Sequence, residues 1–404
     1  MINRRTTLAV AAALGLALAS ASASAAGKYD VGADDTTIKI GNTNPYSGPA
    51  SSYGTIGHAI SAFFDMVNDQ GGINGRKIDF VTLDDGYSPP KTVEQVRKLV
   101  EQEEVLFLFQ TLGTPTNSAI HKYVNAKGVP HLFVATGATK WGQPDKYPWT
   151  MGWQPTYTTE GKIYARYILD NIPDAKIGIL FQNDDYGKDY VTGIKMGLGD
   201  RVEDLIVAEL PYEVTDPTVD SQIVSLKSSG ANVFYNVTIP KFAAQAIRKA
   251  YDIGWKPVHF LNSVSASVKT VLEPAGLNKA EGILSTIYLK DPTDPQWADS
   301  PDFQAWSKWM DDYYPDGNKG DTFNGYAYAV ANTLAHVLER CGDDLTRANL
   351  MKVASSITAL ELPMMLPGIT ITTGPDDFYP LEQMQMVRFN GVKWEEIGEV
   401  LSAF

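Results

Sequence analysis

Apolar residues along this chain fall into two alternating patterns. Short, mainly apolar runs at 38–41, 78–83, 105–109 and 129–134 are separated by stretches in which apolar positions recur at helical spacing. Such runs predict strands buried on both faces, and the stretches between them predict amphipathic helices. Over 53–68, Ile56, Ile60, Phe63, Phe64 and Val67 share one helical face, and Gly71-Gly72 stop the helix. Helices over 91–102 and 116–126 complete a first series. A second series begins near residue 156, with helices over 158–171, 187–197, 219–228 and 242–253. Its strands are 176–181, 205–210, 231–235, 258–261 and 282–288. The remainder is less regular. Helices are predicted over 301–314, 326–341 and 347–356, then a hairpin joining 384–388 to 392–394 through Asn390-Gly391, a favoured turn dipeptide.

Strands alternating with helices predict an α/β fold with mainly parallel sheets. No Gly/Ser-rich or Pro-rich linker divides the two series, which suits two doubly wound lobes joined by a multi-crossing hinge with a cleft between them. In doubly wound sheets, ligands bind beyond the carboxyl ends of the strands, where helix N-termini offer free N–H groups. Loops 42–53, 111–116, 134–141, 182–187, 236–240 and 262–267 are therefore the candidate walls of a site.

Composition adds a compartment. Arg4 and Arg5 precede an uncharged apolar run over 8–19, and small residues follow to Ala25. This is the layout of a secretory signal peptide over residues 1–25, cut after Ala25 or alternatively after Ala23. The run falls short of the about 20 residues a membrane-spanning helix needs. The whole chain has a formal charge of −13, and loss of Arg4 and Arg5 takes it to −15. An acidic exported chain argues against nucleic acid and anionic membranes as partners. Cys341 is the one cysteine, so no internal disulfide forms, and a buried structural thiol is expected.

The loops themselves carry a resemblance. IKIGNTNPYSGPASSYG (38–54), followed by GGINGRKIDFVTLDD (71–85), resembles the first βαβ unit of periplasmic binding proteins of the branched-chain amino-acid (Leu/Ile/Val) type. TLGTPTNSAI (111–120), PHLFVATGAT (130–139) and KIGILFQNDDYG (176–187) resemble that family's next landmarks, in its order. The resemblance covers nearly the whole chain after residue 25. It implies a type I fold whose lobes exchange chain near 155, 285 and 365. Lobe 1 is then 26–155 plus 285–364, and lobe 2 is 156–284 plus 365–404. It also implies a small-molecule ligand captured by cleft closure, ABC permease and ATPase partners, a periplasmic location, a monomer that is not membrane-inserted, and no cofactor.

The resemblance further assigns ligand contacts. A ligand carboxylate would meet Thr114 and Thr116 on one loop and Gly137, Ala138 and Thr139 on another. A Thr hydroxyl both donates and accepts, and a helix N-terminus favours an anion, but Thr before a helix is equally a helix cap. Tyr53 and Tyr186 would wall the pocket, with Tyr46, Trp141 and Trp153 nearby as core or loop anchors. Amino-acid binders of this family carry a glutamate for the ligand ammonium on the loop after the strand near 260. Here that loop reads Asn262-Ser263-Val264-Ser265, with Ser263 and Val264 at the site and no acid. A ligand with a carboxylate but no ammonium, such as an aromatic acid, is therefore expected, with a branched-chain or other amino acid as the alternative. Asp184 and Asp185 are the acids nearest to that role, and each reads better as part of a solvated turn.

Enzyme readings find little. The chain has no G-x-x-x-x-G-K-S/T, H-E-x-x-H or G-x-S-x-G, and its five histidines show no metal-ligand spacing. Asp84-Asp85 resembles a catalytic or metal pair, yet neighbours on an extended chain point to opposite faces, and a solvated turn before Gly86 is the expected role. A ligand-sensing receptor module remains a second alternative to the carrier.

Overall fold

The computed structural model describes residues 27–402, so the signal-peptide reading lies outside the described residues. Two parallel-stranded sheets of the expected kind are present. The chain opens on β1 (Lys28–Tyr29), which pairs in parallel with a later strand, β12 (Asp344–Leu345). The first sheet contains β2 (Thr37–Asn44), β3 (Lys77–Asp84), β4 (Phe107–Phe109), β5 (His131–Val134) and β6 (Thr150–Gly152), in the order β3-β2-β4-β5-β6 and all parallel. Its helices are α1 (Gly54–Asp69), α2 (Pro89–Glu101) and α3 (Thr114–Ala126).

After β6 the chain enters α4 (Tyr157–Asn171) and builds the second sheet. This contains β7 (Ile177–Gln182), β8 (Ile206–Tyr212), β9 (Val233–Val237), β10 (Val258–Leu261) and β11 (Leu284–Ile287). Helices α5 (Asp185–Leu198), α6 (Val202–Leu205), α7 (Asp220–Ser228), α8 (Pro240–Asp252), α9 (Glu273–Ala275) and α10 (Leu277–Ala280) connect them. Then α11 (Pro301–Tyr313) and α12 (Thr322–Cys341) pack on α1, where Phe63 meets Trp309 and Tyr328 edge-on. After α13 (Arg347–Ala354), β13 (Gln383–Phe389) and β14 (Trp394–Ser402) return to the second sheet. They extend it antiparallel beside β11, giving β14-β13-β11-β10-β9-β7-β8.

The local causes are those read from the pattern, with a few shifts. Ile56, Ile60, Phe63 and Phe64 are buried on α1, each contributing roughly 1.5–3 kcal/mol. Asn390 holds the hairpin turn through Oδ1, which accepts from the N–H groups of Val392 and Lys393. Two helices begin earlier than their apolar period indicates, because an aspartate caps them. Asp184 accepts from Tyr186 and Gly187 at the start of α5, and Asp321 accepts from Phe323 at the start of α12. Strand β6 escapes a period-based reading, being three buried residues with no alternation to detect. Cys341 is buried, and burial pushes its thiol up to about 12, so it is inert at neutral pH.

Helices α4 and α5 approach unusually closely through Gly161 on one and Gly193 and Gly197 on the other. A β-carbon added at Gly193 would lie 2.6 Å from both Cα and O of Thr158. That neighbour is backbone and cannot rotate away. Gly193→Ala should therefore force the two helices apart and cost about 1–3 kcal/mol. The readout is a lower melting temperature, and an unchanged one would show that the helices separate freely.

Candidate ligand-binding cleft

Both sheets present their carboxyl edges to one shared cavity of about 870 Å³, counting its mouth. Small-molecule sites span roughly 300–1,000 Å³. All six loops expected at the site contribute. From the first sheet come Tyr53 and Ile56, then Leu112, Gly113 and Thr114, then Ala135. From the second come Tyr186, Ile239 and the 263–267 loop with Ser263, Val264, Ala266 and Ser267. The remaining walls were not read from the sequence: Tyr87, Gln154 and Tyr157, the segment 286–291, Thr322, Phe323 and Tyr326 on α12, and Trp394.

Tyrosines dominate these walls. Tyr53 packs its ring on Phe323 and donates its hydroxyl to Val264 O at 2.9 Å, tying a first-sheet loop to a second-sheet loop. Tyr157 stacks on Tyr190 at 4.4 Å between centroids and meets Tyr186 edge-on at 5.2 Å. Burial keeps these phenols protonated, and Tyr157 is pushed up to about 12. The Tyr186 hydroxyl is buried without a protein partner. Tyr87 reaches the wall from a left-handed backbone position, φ 59°, after β3. The Asp84-Asp85 pair builds that turn. Asp84 accepts from Ser47, Gly86 and Lys91, whereas Asp85 is fully buried and accepts from Tyr87 N and Thr92 Oγ1, both at 2.9 Å. The expected solvated turn is thus half right, because Asp85 is a buried organiser of the Tyr87 loop.

The expected contact residues divide. Tyr53, Thr114, Tyr186, Ser263 and Val264 line the cavity, and Thr114 opens α3, whose first-turn N–H groups have no intrahelical acceptor. Thr116, Gly137, Ala138 and Thr139 do not line it. Thr116 donates back to Leu112 O and Gly113 O, four and three residues before it, so its hydroxyl is occupied within its own turn and does not cap the helix. Gly137 leaves room for Tyr157: a β-carbon there would lie 2.4 Å from Pro155 O and 2.8 Å from the Tyr157 ring. Ala138 is buried beside it. Thr139 is taken up by α5, since its N–H and hydroxyl both donate to Asp189 Oδ2 at 2.8 Å. Next to it Lys140 pairs with Asp185 at 2.6 Å, and Tyr379 Oη donates to Thr139 O at 2.7 Å. Asp184 caps α5. Neither Asp184 nor Asp185 lines the cavity. Trp141 and Trp153 are core, and Tyr46 stacks on His58.

Two acids were missed. Glu160, on the first turn of α4, is fully buried and accepts four hydrogen bonds, from Ser263 N, Ser263 Oγ, Tyr164 Oη and Tyr190 Oη, all between 2.6 and 2.8 Å. Burial pushes its carboxyl up, and the hydrogen bonds oppose that shift. It fixes the loop that carries Ser263 and Val264. Asp291 lines the cavity itself. Among the described residues no group of three or more His, Cys, Asp or Glu is placed to hold a metal, and His121, His131 and His259 are pushed down by burial to about 4, 3 and 3.

Two doubly wound lobes closing their carboxyl edges on one tyrosine-lined cavity define a bilobal ligand-binding protein. The relatives agree. A family model for periplasmic binding proteins matches residues 37–393. The Leu/Ile/Val-binding protein homolog 1 of Brucella suis biovar 1 is 27% identical over 320 residues, covering 76% of this chain and 79% of that protein. The leucine-, isoleucine-, valine-, threonine- and alanine-binding protein of Pseudomonas aeruginosa is 24% identical over 340 residues, covering 82% and 84%. Among solved structures, a branched-chain amino acid ABC transporter protein from Thermus thermophilus with bound valine superposes with a TM-score of 0.81 at 14% identity, covering 91% of this chain and 97% of that one. A fatty acid ABC transporter substrate-binding protein from Thermomonospora curvata gives 0.78 at 22% identity, covering 93% and 95%. The chain belongs to the periplasmic binding protein family.

Glu160→Gln replaces one acceptor oxygen with a donor that faces donors. It should lower stability by about 1–3 kcal/mol and weaken ligand binding through the displaced 263–267 loop. Melting curves and titrations of the variant check both effects. Wild-type values for both would show that Glu160 does not hold the loop.

Proposed function

We propose that this protein captures a small organic molecule with a largely apolar body by closing its two lobes around it, then delivers it to the permease of an ABC importer in the periplasm. The observation that carries this reading is the shared cavity, walled by loops from both sheets and joined across by the Tyr53–Val264 hydrogen bond. The lobes of the reading are 26–155 plus 285–364 and 156–284 plus 365–404. Packing of α11 and α12 on α1, and return of β13 and β14 to the second sheet, are consistent with that division. No helix among the described residues is long and apolar enough to cross a membrane. The curated relatives are binding proteins by name, which favours a carrier over an enzyme. A permease, an ATPase and a monomeric carrier complete the proposal.

Thr114, at the start of α3, is the residue we assign to a ligand carboxylate, with Tyr53, Tyr186, Ser263 and Val264 as walls. Two ligand classes fit. A carboxylic acid without ammonium is favoured by the lack of an acid at 262–265, and the Thermomonospora curvata relative carries fatty acids by name. An amino acid is favoured by Asp291 in the cavity wall, and the Thermus thermophilus relative holds valine.

A thermal-shift screen of residues 26–404 against amino acids, aromatic acids, fatty acids and short amides tests the carrier reading. A ligand at about 100 times its Kd adds about 2.7 kcal/mol of stability. Stabilisation by one such class is expected, and a flat response across all of them would count against the reading. Tyr53→Phe should then weaken the stabilising ligand by about 0.5–1.5 kcal/mol, by removing the bond between the lobes. Unchanged affinity would show that this bond does not contribute to the closed state.

A further inference from the structure

The polar atoms around the cavity differ in what they can offer a ligand. Tyr53 gives its proton to Val264 O, and Ser263 gives its proton to Glu160 Oε2 at 2.6 Å. Both oxygens can therefore meet a ligand only as acceptors. The Tyr186 hydroxyl, with no protein partner, can serve either way. Asp291 is the most demanding of the set. It is 4% exposed, and its Oδ1 accepts from the N–H and hydroxyl of Thr293, both at 2.9 Å. Its Oδ2 is buried with no protein partner.

Among the described residues no cation answers that oxygen, and the neighbouring Lys290 pairs with Asp302. Burial pushes the Asp291 carboxyl upward, the two hydrogen bonds from Thr293 oppose that shift, and the nearby carboxylates of Asp294 and Asp321 add to it. Lys393 lies close by but pairs with Asp294 at 3.0 Å. Asp321 is occupied by Ser267 and by the cap of α12. A buried carboxylate oxygen without a partner is strongly unfavourable unless it meets a cation or a proton. Asp291 lines the cavity, where a ligand could supply that partner.

We propose that Asp291 Oδ2 anchors a protonated amine, with Ser263 Oγ and Tyr53 Oη as further acceptors on the same cavity, so that the ligand pairs an apolar body with a cationic N–H head. This rests on the reading of the cavity as the ligand site. Asp291 takes the part that the 262–265 loop cannot, from a different strand end. It lies in the segment after β11, where no motif marks it.

Calorimetric titration with leucine, 3-methylbutylamine and 4-methylpentanoate tests it, since the three share an apolar body and only the first two carry an ammonium. The two amines should bind at least about tenfold more tightly than 4-methylpentanoate, the fold-change of one charge-assisted hydrogen bond. Asp291→Asn, which keeps an oxygen for Thr293, should weaken both amines at least about tenfold and so remove that preference. Ligand-free melting curves of the variant, together with Asp291→Glu, separate loss of the fold from loss of the anchor. The Asp291→Glu variant should retain part of the preference. Equal binding of leucine and 4-methylpentanoate, or a preference that survives Asp291→Asn, overturns the Asp291 assignment and leaves the carrier reading standing. Binding of none of the three counts against both.

Discussion

The hydrogen bond from Tyr53 Oη to Val264 O, with Ser267–Asp321 and Lys393–Asp294 beside it, ties together the two edges that enclose the cavity. It joins the start of α1 in the first lobe to the loop after β10 in the second, across the edges where both sheets end. Each edge exposes the polar ends of strands and helices, which need partners when water is excluded. The Thr139–Asp189 and Lys140–Asp185 contacts meet part of this need nearer the α4–α5 pair. These are few and polar, each worth on the order of 1 kcal/mol net, and Lys140–Asp185 is partly exposed. A closed state held by so little responds to whatever fills it. A ligand drives closure only by the difference in its affinity for the closed and open arrangements.

The walls show how such a ligand would be gripped. Tyr53, Tyr87, Tyr157 and Tyr186 supply broad apolar faces with a polar atom at the rim, at little entropic cost in a packed environment. Their placement comes from groups outside the cavity. Asp85 builds the turn that carries Tyr87, the bare Cα of Gly137 makes room for Tyr157, and Glu160 holds the Ser263 loop by four hydrogen bonds. The buried carboxylates of Asp85 and Glu160 are thus structural, whereas Asp291, which has an unpartnered oxygen, is the acid that lines the cavity among the described residues.

Much of this was legible in the sequence, for identifiable reasons. Strand and helix periods located both sheets, and the rule that ligands sit at strand carboxyl ends selected loops that do reach the cavity. Residue roles were less legible. Thr139 sits on the right loop, but its hydroxyl is engaged by Asp189, fifty residues away, a pairing that no local pattern carries. Thr116 spends its hydroxyl on the carbonyls of Leu112 and Gly113 in its own turn. Tyr157, Tyr288 and Tyr326 reach the cavity from positions at or next to the ends of the predicted elements, where periodicity says nothing about facing. The absence of an acid at 262–265 was read correctly, but Asp291 enters the same cavity from another strand end, which weakens the argument drawn from that absence.

The central claim is that ligand occupies the space between the two carboxyl edges. Ala266, on the cavity wall beside Val264, offers a direct way to fill that space from inside. The measurement is a calorimetric titration of Ala266→Trp with a ligand that stabilises the wild type, alongside a circular-dichroism melt that confirms a folded variant. Loss of binding by a folded variant is the predicted result. Wild-type affinity in the presence of the indole would place the ligand elsewhere and contradict the account.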